Sequence, residues 1–420
     1  MNRFFAVLMA LQLMMATSVL AKTDFKVGNW MLADDNIFRN YSGQGDMVFM
    51  PYAQLGYVAS VSDYSSLRFG YDGDFYLFNE MSHRDFSVHS GNFSYSRLWP
   101  ESNTLLSMGA SVESRLNPSD YSYYNYTTGG VYGSFKYYLR DDLMMLARYN
   151  LVGKKFKEFD EFNFAEQVFD IRVNHFLPSR TTLSVNAAYY NKSYTSDVET
   201  LDSTFVSAED ITGGMGMMGP FGGRGRGMGG RLEGFLPEDF EGFYRYDVRA
   251  ERFASTSQLR LGASVAQNVA EGTGLMLAYT ARINPHSRNR YLTNLGESVI
   301  NNEELFDDHY SYNGHEAKVQ LRQMLPGKSM LTLLFTARSR KYSGRPAYDL
   351  YGFAIASGAS RLDKAILFTA QYSRSVTAGW LGALESLDVV LQGGAGRNSS
   401  NDEYYDYKSA WFSLGVEKGF

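Results

Sequence analysis

The chain has 420 residues with no Cys, 9 Pro, 40 Gly, 31 Tyr and 29 Phe, and its formal net charge is −5. The absence of Cys excludes disulfides, thiolate metal sites and a lipid anchor on an N-terminal Cys, and so mild a charge gives no indication of a nucleic-acid partner. A mean hydropathy of −0.30 in a chain so rich in aromatic residues fits antiparallel β structure, in which apolar and polar residues share each strand.

The first 21 residues are expected to form a secretory signal peptide, with residues 22–420 as the mature chain. This segment has Arg3 in a short basic start, an apolar run from Phe4 to Met15, and small residues before a break after Ala21. A transmembrane anchor is the alternative, but the run is short for one. No later stretch approaches the roughly 18 apolar residues that a membrane helix needs, so a helical membrane protein is not expected.

Alternation of apolar and polar residues runs through the mature chain. In residues 104–112, Leu106 and Met108 face away from Ser107 and Gly109. The same period of two recurs at 181–190, 258–265, 317–323 and 331–340. Such strands have one lipid-like face and one wet face.

The spacing of turns predicts how many strands there are. Short turns fall at residues 62–65, 100–103, 141–142, 178–180, 270–273 and 326–329, with a looser one near 377–383, and longer polar segments lie between them. Seven turns predict about fourteen strands. A first strand near 23–32 and a last one at 408–420 bring the total to about 16, within 14–18. This predicts an all-β transmembrane antiparallel up-and-down β-barrel with short periplasmic turns and long extracellular loops, in the outer membrane of a Gram-negative bacterium.

A soluble sandwich or solenoid is the competing fold. It would also alternate, but its strands are usually shorter and its apolar face would need a second sheet to cover it. The C-terminus favours the barrel, because Phe412, Leu414, Val416 and Phe420 resemble the signal read by the barrel assembly machinery, although Lys418 stands where an apolar residue is more usual. Outer-membrane lipid and lipopolysaccharide would then be the surroundings of the chain.

Assigning each strand by its apolar face predicts which charged side chains point into the barrel. A basic interior would attract anions and repel cations, whereas charges that pair with one another could fill a closed interior. The predicted inward acids are Asp72, Asp74, Asp170, Glu316, Asp388 and Glu417. The predicted inward cations include Arg140, Arg282 and Arg340 and a proposed pore lining of Arg68, Lys136, Arg148, Arg172, Arg260, Lys318, Arg322 and Arg338.

A long segment at about 195–243 contains a Gly/Met/Arg-rich run at 213–231. It could fold into the mouth as a constriction through Arg224, Arg226 and Arg231, bind a surface partner, or be a disordered extracellular loop. Its Met residues could suggest copper binding, but nothing in the pattern sets their geometry, so no metal or cofactor is predicted.

A second polar segment spans residues 285–309. Its acids Glu303, Glu304, Asp307 and Asp308 could attract a divalent cation, or the loop is simply solvated. Asp307, Asp308 and His309 resemble the acid–histidine pairing of surface proteases, but no second acidic pair or nucleotide loop accompanies them. The chain is therefore not expected to be an enzyme.

Residues 33–40, "ADDNIFRN", follow the first predicted strand. Asp35, Asn36, Ile37, Phe38 and Arg39 resemble the Asp-Asn-aliphatic-aromatic-Arg element near the start of the β-barrel porin 2 family, which is associated with exopolysaccharide secretion. The resemblance implies a barrel that passes an anionic polysaccharide, which agrees with the basic interior predicted from the residues.

These observations favour an outer-membrane channel that passes anionic solutes or assists exopolysaccharide export. The first alternative is a structural sleeve or surface scaffold that houses a periplasmic or surface partner. The second is an outer-membrane hydrolase. The sequence does not separate the channel from the sleeve.

Overall fold

The computed structural model describes residues 21–196, 204–207, 242–245, 255–286, 308–350, 354–355, 359–376 and 387–419. Sixteen strands form one closed antiparallel barrel. Separately, β10 (Thr204–Ser207) pairs with β11 (Gly242–Arg245), which extends just past the predicted segment at about 195–243. The barrel strands are β1 (Ala21–Asp34), β2 (Asp46–Ser62), β3 (Ser65–Phe78), β4 (Phe86–Trp99), β5 (Thr104–Leu116), β6 (Tyr126–Arg140), β7 (Leu143–Phe156), β8 (Phe164–Leu177), β9 (Thr181–Tyr194), β12 (Ser255–Ala270), β13 (Thr273–Ile283), β14 (Asn313–Leu325), β15 (Ser329–Pro346), β16 (Ser360–Val376), β17 (Leu387–Ser400) and β18 (Tyr407–Gly419).

Each strand pairs with its neighbour in the chain, and the first strand pairs with the last. The β1–β18 register runs from Lys26 opposite Gly419 to Asp34 opposite Trp411. Closure pairs the backbone groups that an open sheet would leave unsatisfied at its edges. The predicted fold class, a transmembrane antiparallel up-and-down barrel of about sixteen strands, is confirmed.

The connections differ between the two ends of the barrel. Six of the predicted short turns occur where expected, and the predicted turn at 377–383 lies outside the described residues. We call this end the short-turn end, and the opposite end, with longer connections such as 35–45 and 117–125, the loop end. The barrel strands have 11 to 18 residues, and roughly 9–11 are enough for a tilted strand to cross a membrane.

One face of the barrel wall is hydrophobic and exposed. Pairing places opposite residues on the same face, so the alternation continues from strand to strand around the barrel. A barrel with such a belt is built to be surrounded by lipid. In the described part of the chain, no helix is long and apolar enough to cross a membrane. The belt includes Phe93, Met108, Val131, Val185, Leu277, Phe335 and Ile366, each exposed by 38–62%.

The segment that resembles the β-barrel porin 2 element joins the first and last strands. Arg39, at φ 51°, makes a two-bond ion pair with Asp34 at 2.7 and 2.5 Å. The Asn36 amide donates to the carbonyl oxygens of Asn40 at 2.7 Å and Lys408 at 3.1 Å. The element therefore holds the β1–β18 seam at the loop end.

Replacing Asn36 with Ala should weaken this seam. The change leaves the carbonyl of the buried Asn40 and the carbonyl of Lys408 without this donor, at a cost of about 1–3 kcal/mol for a buried unsatisfied group. We expect a lower urea midpoint for loss of the folded band on unheated gels. Asn29→Ala is the matched control, because Asn29 is exposed on β1 and makes no side-chain hydrogen bond with another described residue. An equal midpoint in both variants would contradict the role assigned to Asn36.

Candidate channel lumen

The pairing register places all eight residues of the proposed pore lining on the face opposite the hydrophobic belt. One row of the sheet shows this, because Arg148 lies opposite Asp170, Asp170 opposite Ala188, Ala188 opposite Arg260, and Arg260 opposite Arg282. Arg68, Lys136, Arg172, Lys318, Arg322 and Arg338 fall on the same face by the same rule. We call this the inner face.

Some inner-face charges are paired. Arg260 contacts Asp170 at 3.5 Å, and Lys318 contacts Glu316 at 2.7 Å. Lys26 contacts Glu417 at 2.9 Å, and Tyr52 donates to the same carboxylate. Every acid in these pairs thus has a positive neighbour or a donor.

Other inner-face cations make no ion pair with any described residue. Arg68, Arg148 and Arg322 are exposed, and Arg172 is half-buried. A side chain that is exposed on the inner face reaches water inside the barrel. These guanidinium groups are therefore solvated positive charges that face the interior.

The inner face also carries charges that the sequence reading missed. Many of these residues lie near strand ends, where the alternation of apolar and polar residues is too short to assign a face. The strand-pairing register assigns their face, because residues opposite one another share it. The missed cations and acids are equal in number, six of each. Arg140, which the sequence placed inward, lies past a register shift and opposite Leu143 of the outer face. Among the described residues that the register assigns, the inner face therefore has sixteen cations against twelve acids, an excess of four. The additions are Lys22, Lys26, Arg115, Lys154, Lys192 and Arg361, and Asp24, Asp34, Asp46, Glu113, Glu166 and Asp363.

Two hydrophobic clusters line the inner face at the loop end. In the first, Ile37 and Phe38 of the connection after β1 pack on Val48, Phe78 and Phe86 of β2 to β4. In the second, the connection between β5 and β6 brings Tyr124 against Phe156, Phe162, Phe164 and Tyr194. Connections that fold inward thus narrow the barrel at its loop end.

A third inward segment, residues 308–312, lies against β8, β9 and β12. Lys192 and Asp308 form a buried ion pair at 2.5 Å, with side chains exposed by only 2% and 1%. Tyr310 donates to Glu166 at 2.6 Å, and Gln258 donates to the carbonyl of His309. These contacts hold the end of the connection after β13 against the inner face.

The electrostatics of this segment explain why its charges persist. Burial raises the pKa of Asp308, but the ammonium group of Lys192 and then the neighbouring His309 outweigh it and hold that pKa well below its usual value. Burial, followed by the Glu166 carboxylate, raises the pKa of Tyr310, so the phenol stays a neutral donor. Asp308 is thus an ionised partner of Lys192.

This geometry corrects the expectations for Asp308. It was expected either to attract a divalent cation or to be solvated, and instead it is buried against Lys192. His309 lies 3.0 Å from Asp308 and 3.8 Å from Glu166. Within the described ranges, no group of three or more His, Asp or Glu is arranged to hold a metal. Glu303, Glu304 and Asp307 lie outside the described residues.

Asp402 gives a pH-dependent contact at the loop end. Burial raises the pKa of Asp402 to about 6, although Arg361 opposes the shift. Because this value exceeds the ordinary 3.8, the folded state binds the proton more tightly, and stability grows as pH falls from about 7 to 4. The Tyr348 amide donates to Asp402 at 3.3 Å and reports on this site.

We therefore expect local opening at Tyr348, measured by hydrogen exchange and corrected for intrinsic rates, to be about tenfold rarer at pH 5 than at pH 7.5. Asp402→Asn should remove this dependence, since the amide does not titrate. The same pH dependence in wild type and Asp402→Asn would show that another group is responsible.

Two predicted sites fall wholly or partly outside the described residues. Arg224, Arg226 and Arg231 of the proposed constriction lie outside them, as does Phe420. Alternate residues of β18, namely Phe412, Leu414 and Val416, lie on the same outer face as the hydrophobic belt. Their role in assembly stays a prediction.

The chain has similar folds among solved structures but no match among family models or curated proteins. The resemblance at residues 33–40 therefore stays a hypothesis. Among solved structures, the chain is similar to the outer membrane protein OprD of Pseudomonas aeruginosa, with 10% identity, coverage of 95% of this chain and 94% of that one, and a TM-score of 0.46. It is also similar to P. aeruginosa OccK8 (OprE), with 10% identity, 95% and 98% coverage and a TM-score of 0.48. A third similar structure is Acinetobacter baumannii OccAB1, with 10% identity, coverage of 95% of this chain and 96% of that one, and a TM-score of 0.45. The likeness concerns the fold alone.

Proposed function

We propose that this protein is a channel for anionic solutes in the outer membrane of a Gram-negative bacterium, with its loop end outside the cell. The observation that carries the proposal is that Arg68, Arg148 and Arg322 are exposed on the inner face and make no ion pair with other described residues. Barrels of 16 strands are wide enough to leave an aqueous channel.

The sign of the interior charge supports anions as the cargo. An excess of positive charge within a low-dielectric wall raises the local concentration of anions and opposes the entry of cations. Arg148, Arg172 and Arg322 come from different strands, so a passing solute would meet several weak sites rather than one tight one. Weak binding at several sites lets a solute both enter and leave.

The second hydrophobic cluster narrows the loop end, which favours small anionic solutes over a polysaccharide chain. The rings of this cluster do not offer a stacking surface, because Tyr124 is exposed by only 2% and Tyr194 by 8%. Both rings pack within the second hydrophobic cluster. The described aromatic residues of that cluster therefore narrow the entrance instead of offering a stacking surface.

The test is single-channel recording of the refolded mature protein in a planar bilayer with a salt gradient. We expect stable openings and a reversal potential that shows anion selectivity. Cation selectivity would contradict the proposed cargo. Silence from a barrel shown to be folded by its gel mobility would contradict the channel and favour a sleeve filled by a partner.

A further inference from the structure

Four cations lie together on the outer face, at the loop end of the last four strands. The pairing register places all four on the face of the hydrophobic belt, and all four are exposed. They are Lys341 of β15, Lys364 of β16, Arg397 of β17 and Lys408 of β18. We call this group the outer basic patch. It plays no part in the lumen, because the wall of the barrel separates the two faces.

The register places the members of the patch close to one another. Arg397 lies directly opposite Lys408, and residues directly opposite across a strand pair have Cβ atoms about 4.5–5.5 Å apart. Lys364 lies opposite Ser399, the next outward residue of β17 after Arg397. Like charges directly opposite one another destabilise a sheet, so this arrangement gains from an anion between them.

No described acid neutralises the patch. None of its four cations makes an ion pair with a described residue. Asp35 lies beside it, hydrogen-bonded to the Ala410 amide at 2.7 Å, and Asp406 is exposed at the end of the preceding connection, but these two carboxylates leave the four cations in excess. The patch therefore presents net positive charge to whatever covers it.

The surface beneath the patch is apolar. Toward the short-turn end, the outer face of the same strands carries Ile366, Phe368 and Phe412, exposed by 56%, 47% and 50%. Positive charge above an apolar surface complements an amphiphile with an anionic headgroup and acyl chains. A small soluble anion would bind the positive charge but would leave the apolar surface uncovered.

We propose that the outer basic patch binds the phosphorylated headgroup of a glycolipid in the outer leaflet, with its acyl chains on the apolar surface below. This rests on the proposed outer-membrane location, but not on conduction through the lumen. Arg397 and Lys408 would share one phosphate, and Lys364 would contact the same headgroup.

The test is native mass spectrometry of the detergent-solubilised protein titrated with diphosphorylated lipid A. We expect Lys364→Gln/Arg397→Gln/Lys408→Gln to weaken binding at least tenfold. Lys155→Gln is the matched control, since Lys155 is exposed on the outer face of β7 near the loop end but stands apart from the patch, and it should bind as wild type does. Arg397→Lys should retain most of the binding.

Several results would overturn the proposal. They are equal binding by the triple variant and wild type, equal binding of lipid A after removal of its phosphates, or equal affinity for inorganic phosphate alone. Gel mobility of the unheated protein checks that the variants are folded. Single-channel conductance of the triple variant should equal that of wild type, so the lipid site and the channel can fail independently.

Discussion

Replacing Arg148, Arg172, Arg322 and Arg338 together with Glu should reverse the ion selectivity of the channel. Each change removes one inner-face cation and adds one anion, so the excess of four cations among the described residues becomes an excess of four anions. Because interior charge sets which ions are concentrated, the reversal potential in a salt gradient should change sign. The measurement is the same bilayer recording as for wild type.

Two control variants separate interior charge from general damage. Replacing the same four residues with Gln should give an intermediate reversal potential. Arg97→Gln/Arg374→Gln alters exposed cations on the outer face and should leave selectivity unchanged. Unchanged anion preference in the Glu variant would reject these four residues as the pore lining.

Replacing Lys192 with Met should release the inward segment 308–312 from the wall. The change leaves the buried Asp308 carboxylate without its ammonium partner, and removal of one member of a buried ion pair costs about 3–5 kcal/mol. We expect faster hydrogen exchange at Tyr310 and Ser311, and a larger single-channel conductance because the loop end widens.

The double variant Lys192→Met/Asp308→Asn tests the cause. Asn removes the charge but keeps an oxygen that can accept the Tyr310 amide, as Asp308 does at 3.2 Å. Protection and conductance should return most of the way to wild type. If the double variant opens as far as the single one, the uncompensated carboxylate is not the reason for release.

The wall of the barrel could be predicted from local patterns. The alternation around Leu106 and Ser107, or Leu183 and Ser184, assigned each strand its two faces, and the short turns set the strand number. Both signals lie within a few residues of chain, since the side-chain period of a strand is two wherever it occurs. For the same reason the eight predicted lining residues lie on one face.

The loop end could not be predicted in this way. Residues 308 and 309 belong to the predicted polar segment 285–309, yet Asp308 is buried against Lys192, which is 116 residues away in the chain. Asn36 bonds to Lys408 across 372 residues, so the seam exists only once the barrel closes. No local period signals either contact.

The sequence by itself thus determined the fold class, the strand number to within two, and the two faces of the wall, because each depends on neighbours in the chain. Only the tertiary structure decided which inner-face cations are paired, which connections fold inward, and which outward cations gather in the outer basic patch. Those features depend on which strands lie side by side and in what register, and closure of the barrel sets both.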